Sequence, residues 1–86
     1  MKIAKGFLLH NDGEDTILVS TGETAFSGLV RSNDTAGFIM KCLEEDTNED
    51  EIVKKMQQEW DVSDGTARRD VRKVVEQLRG IGAIDG

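Results

Sequence analysis

The stretch SGLVRSND, Ser27 to Asp34, decides how the chain is read. Its first half, Gly28-Leu29-Val30-Arg31, has the composition of a short strand. Its second half, Ser32-Asn33-Asp34, carries the polar side chains that begin helices. The residues before it read as strand and those after it as helix. Phe7-Leu8-Leu9-His10 and Thr16-Ile17-Leu18-Val19-Ser20 are apolar runs of strand length. The Asp-Gly signal of a tight hairpin lies between them in Asn11 to Asp15. A looser link through Thr21 to Thr24 leads to a third strand, roughly Phe26 to Arg31. Consecutive strands of a short meander pair in order, so the second strand is expected in the middle and the third on the outside. An outer strand exposes unpaired backbone groups, which make it either a hazard or a docking edge.

Downstream, apolar residues recur at helical spacing. Helix one is expected from Asp34 to about Glu45, capped by Ser32 or Asn33, with an apolar arc of Ala36, Phe38, Ile39, Met40, Cys42 and Leu43. Helix two begins after Thr47, where Thr47 to Asp50 resembles a capping box, and buries Ile52, Val53, Met56 and Trp60. Helix three is capped by Ser63 and carries the stripe Ala67, Val71, Val74, Val75 and Leu78. Gly80 and Gly82 end it, and Ile81 and Ile84 are available to fold back onto the core. The expected fold class is α+β, winged-helix-like, with a three-stranded antiparallel sheet followed by three α-helices in a single domain over residues 1–86.

Bulk composition narrows the function classes. With 86 residues the chain supports one modest core but no deep cleft between domains, which lowers the prior for an enzyme. No apolar run approaches the roughly 18 residues that cross a membrane, and the first residues lack the apolar core of a signal peptide, so the expected location is cytoplasmic. One cysteine forms no internal disulfide or thiolate cluster. The net charge of -6 disfavours general binding to phosphate backbones, but it is unevenly spread. Residues 1–65 hold 6 basic and 14 acidic side chains, whereas residues 66–86 hold 5 basic and 3 acidic.

Catalytic and metal chemistry find little support. His10 has no second histidine to share a metal and reads as an exposed strand-end residue. Cys42 sits on the apolar arc of helix one, where cysteine behaves as a small hydrophobe. The acidic runs at Glu44 to Asp46 and Glu49 to Glu51 lack the spacing and central glycine of a calcium loop, and no glycine pattern forms a phosphate-binding fingerprint. No cofactor is called for. Helix three is more informative: at about 100° per residue, Arg68, Arg72 and Arg79 align beside Val75 on one border of the apolar stripe, while Arg69 and Lys73 point further toward solvent. The bland reading is a solvated face paired locally with Glu76 and Asp70.

The order and spacing of these pieces resemble the PqqD-like family of peptide-recognition domains in ribosomally made, modified-peptide pathways. The resemblance rests on the strand-to-helix stretch Gly28 to Gly37, the EEDTNEDEIV junction, and the end DVSDGTARRDV…LRGIGAI. Ser32 departs from it, standing where the family commonly has leucine. The resemblance implies a protein, not itself an enzyme, that binds the leader segment of a precursor peptide as an added strand on its third strand, against helix three. It further implies presentation of that peptide to a modifying enzyme, a radical SAM maturase among them. The peptide-binding residues expected here are Gly28, Leu29, Val30 and Arg31 on the strand and Arg68, Val71, Arg72, Val75 and Arg79 on the helix. The valines would line the groove and the arginines attract acidic leader residues. An open outer strand also permits a homodimer. The rival is a winged helix-turn-helix DNA-binding protein that uses helix three, since DVSDGTARRDVRKVVEQLRGIGAI looks like a serine-capped recognition helix. The acidic net charge, the strands ahead of the helices and the lack of room for a wing after helix three count against nucleic acid as a partner.

Overall fold

The hairpin forms as its turn signal requires. In the computed structural model, which describes residues 1–13, 15–21 and 29–86, β1 (Lys2–Ile3) precedes the hairpin strands β2 (Phe7–Asp12) and β3 (Asp15–Ser20). Asp12 lies opposite Asp15, so the strands run closer to the turn than their apolar residues alone suggest. Gly13 takes φ 65°, a left-handed backbone that glycine adopts without steric cost. β4 (Leu29–Asn33) pairs antiparallel with the other side of β3, giving the order β2-β3-β4 with β3 in the middle. Leu18, fully buried, lies opposite Leu9 on one side and Val30 on the other. The expected start of this strand, from Phe26 to Gly28, falls outside the described residues.

Two features differ from the sequence expectation. A second antiparallel sheet joins β1 to β5 (Ile84–Asp85), with Ile3 opposite Ile84, so the α+β fold has two small sheets rather than one. Strands of two residues carry no alternation to detect; only the pairing partner makes them strands. The other difference is at the junction. Ser32 and Asn33, expected only ahead of the helix, are the last residues of β4, opposite Thr16 and Asp15, so the strand runs up to the first residue of the helix. The whole change of direction falls on Asp34, the first residue of α1 (Asp34–Cys42), at φ 40°. Aspartate is one of the few non-glycine residues that visits this region readily.

α2 (Glu49–Glu59) is capped by Asn48 rather than Thr47, the Asn48 side chain accepting from the Glu51 amide at 2.9 Å. α3 (Asp64–Gly80) has the expected Ser63 cap, whose Oγ accepts from the Thr66 amide at 3.2 Å. It ends in a Schellman arrangement: Gly82 at φ 78° donates to the Arg79 carbonyl and Ala83 to the Leu78 carbonyl. That reversal delivers Ile84 to β1. The core gathers Phe7 and Leu18 from the sheet, Ile39, Met40 and Leu43, Ile52, Val53 and Met56, and the whole predicted stripe of α3. Trp60 is the exception. It sits at the α2 C-cap, 36% exposed, and meets Phe38 edge-on with ring centroids 5.0 Å apart rather than entering the core. Among the described residues no helix is long and apolar enough to cross a membrane.

Candidate functional site

β4 pairs with β3 along one side, and no described residue pairs with its other side. Among the described residues its outward backbone donors and acceptors therefore have no partner. Two contacts hold that edge in place. α1 starts without any loop and packs back on β3 and β4. Gly37 makes this close approach workable: a Cβ there would stand 2.7 Å from Thr16 Oγ1 and 3.1 Å from Thr16 Cβ. Thr16 is itself buried, 3% exposed. The free edge is thus braced from behind by a helix with no side chain at its contact point.

Of the residues expected to bind peptide, Leu29, Val30 and Arg31 lie in β4, and Gly28 falls outside the described residues. The helical ones are placed differently. Val71 and Val75 are buried in the core beneath α3. Arg68 and Arg72 face the start of α2. Arg68 grips Asp64 with Nε and Nη2, both at 3.2 Å, and reaches Asp50 at 2.7 Å and Glu49 at 3.2 Å through Nη1. Arg72 Nε reaches Glu49 at 3.1 Å. The local partners expected from sequence, Glu76 and Asp70, take no part in this network. The fork of Arg68 is thus satisfied within α3 by Asp64, while its Nη1 and Arg72 Nε reach carboxylates of α2 and clamp the two helices together. Sequence reading missed this because the first turn of α2 approaches α3 only once the chain is folded. Arg79 lies on the same flank, beside a cavity of about 250 Å³ that also involves Met1, Glu76 and Arg72.

The opposite flank of α3 faces α1. Between them runs a groove of about 280 Å³, formed by Thr35, Ala36 and Ile39 of α1 and by Asp70, Val74 and Gln77 of α3, with Lys73 at its rim. Thr35 is two residues beyond the end of β4, so this groove begins where the free edge ends. The remaining chemistry-bearing residues lie elsewhere: His10 is exposed on β2, and burial pushes the half-buried Cys42 thiol up, away from reactivity. No group of metal-ligating side chains occurs among the described residues.

A family model described as coenzyme PQQ synthesis protein D (PqqD) matches residues 6–84. The chain belongs to the PqqD family. Two solved structures resemble this PqqD-family protein in fold. One, TbiB1 in complex with the TbiA(beta) leader peptide, has a TM-score of 0.86 and 22% identity, over 100% of this chain and 96% of that one. The other, lasso peptide synthetase B1 complexed with the leader peptide, has a TM-score of 0.78 and 18% identity, over 95% of this chain and 93% of that one. At these identities the likeness is one of fold. No curated protein matches the chain significantly in sequence.

The arginine clamp of this PqqD-family protein has a pH signature. Hydrogen bonding and attraction to Arg68 hold the Asp64 carboxyl below the usual carboxylate range. Folding therefore lowers the proton affinity of this group. Its contribution to stability is present above the unfolded-state value of about 3.9 and disappears as pH falls through the lower folded value. Arg68→Ala is expected to lower the melting temperature at neutral pH and flatten the loss of stability below about pH 4. Molar salt should shrink the difference between the two proteins. Thermal melts from pH 2 to 7 with and without salt check this; an Arg68→Ala protein with an unchanged acid limb would show that the clamp does not hold the carboxylates.

Proposed function

We propose that this protein binds the leader segment of a ribosomally made precursor peptide as an additional strand on the free edge of β4 and holds it for a modifying enzyme. The observation that carries this reading is the one-sided pairing of β4. Leu29, Val30 and Arg31 supply the backbone groups, and each bond to a guest strand contributes about 0.5–1.5 kcal/mol net. Several such bonds plus buried guest side chains reach micromolar affinity after the ordering cost, on the order of 8 kcal/mol in total. Family membership and the leader peptides bound to the two structurally similar proteins support the same reading.

We read the fold as a winged-helix-like arrangement turned to peptide binding, located in the cytoplasm, with the chemistry carried out by the partner enzyme, a radical SAM maturase being one class. The same edge also suits a second copy of the chain. The DNA-binding reading draws on the α3 arginines, and two of the four, Arg68 and Arg72, are paired with carboxylates of α2 and α3. Selection from a displayed library of random peptides, followed by titration of the winners and of duplex DNA at several salt concentrations, tests the proposal. Saturable binding of extended peptides is expected. Failure to recover any saturable peptide binder, or tight DNA binding that falls steeply with salt, would overturn it.

A further inference from the structure

We infer that Asp70 is the specificity residue of the peptide site, selecting a guest that places a basic side chain two positions from an apolar one on its helix-facing side. This rests on the leader-binding reading above, and it moves the recognising flank of α3 from the arginines to the groove against α1. The two flanks differ in how their charges are satisfied. Arg68 on the α2 side meets three carboxylates. On the α1 side, Asp70 and Lys73 stand three residues apart on one helix, yet neither makes a hydrogen bond or ion pair with any described residue. Asp70 is only partly exposed, and it lines the groove with no partner among the described residues. A guest donor supplies what the fold leaves out.

The dimensions suit a strand. From Asp70 to Gln77 the helix rises about 10 Å at 1.5 Å per residue, the length of roughly three strand residues at about 3.3 Å each. Two side chains of such a segment point the same way, about 6.6 Å apart. One fits against Ala36 and the exposed edge of Val74, over the fully buried Ile39. Its neighbour on the same face then lies beside Asp70. Lys73, exposed at the rim, is more strongly screened and discriminates less.

The test uses a peptide selected for saturable binding from a displayed random library, remade with Lys, Gln or Glu at each position in turn and titrated against the intact protein. One position is expected where Lys binds better than Glu by about 5- to 10-fold, with Gln between them. Asp70→Asn should erase that preference and Asp70→Lys reverse it, with unchanged circular dichroism. Arg69→Ala, on the solvent side, should change nothing. A saturable peptide whose charge preference ignores Asp70, whether or not it tracks Arg79, overturns the inference and leaves leader binding standing. Failure to select any saturable peptide removes the reading beneath it and the inference with it.

Discussion

Gly37→Ala is expected to destabilise the protein by about 1–3 kcal/mol, although in an isolated helix the same change stabilises by nearly 1 kcal/mol. The opposition makes the experiment informative. Propensity favours alanine in the middle of α1, but the new Cβ would sit 2.7 Å from Thr16 Oγ1 and 3.1 Å from Thr16 Cβ. The hydroxyl can rotate away; the Thr16 Cβ belongs to the central strand and cannot move without the sheet. Overpacking of this kind forces a backbone shift, here between α1 and β3, the pair that braces β4. Gly37→Val should cost more. Adding Thr16→Ala removes the nearest atom and should return part of the loss, a coupling on the order of 1 kcal/mol in a double-mutant cycle. Urea unfolding of the four proteins measures it. A Gly37→Ala protein more stable than the parent would mean that α1 does not lie as close to β3 as described.

Single prolines at Leu29, Val30 and Arg31 are expected to separate into two classes. Along an antiparallel pair, residues alternate between those that exchange bonds with the partner strand and those whose donor and acceptor point away from it. Among the described residues β4 has a partner on one side only. Proline at a residue bonded to β3 removes a ladder bond and destabilises the fold. Proline at a residue facing outward leaves the β3 ladder intact, as edge strands tolerate. That variant should still fold, yet lose peptide affinity by about tenfold or more, because the guest loses a donor and meets the proline ring. Adjacent positions must fall in opposite classes. A folded proline variant at every position that binds a selected peptide as well as the parent would place the peptide elsewhere.

Much of this was legible in the residues. The meander order came from hairpin chemistry at Asn11 to Asp15 and from the shortness of the links, and it placed β4 outermost. The α3 stripe, Ala67 to Leu78, is buried as its spacing requires. Local reading failed where a distant partner decided the outcome. The third strand was expected to stop near Arg31, but β3 lies alongside and extends the pairing through Ser32 and Asn33. Trp60 has the right spacing for the core but falls one residue past the end of α2, where the helical phase no longer applies. Ile84 reads as an apolar residue folding back, and only β1 makes it a strand. The arginines were the subtler case. Their alignment on one flank of α3 was visible, while the carboxylates that occupy Arg68 and Arg72 come in part from α2, about twenty residues away in sequence. A ridge of charge and a finished salt-bridge network look alike until the facing helix is in place.

Amide hydrogen exchange of β4, monitored by NMR with and without a saturating selected peptide, tests strand addition most directly. In the free protein the outward-facing amides among Leu29, Val30 and Arg31 should exchange quickly, and those bonded to β3 slowly. Peptide binding should protect the outward-facing set and leave the β3-bonded set little changed. Saturable peptide binding that leaves every β4 amide exchanging as before would contradict strand addition at this edge.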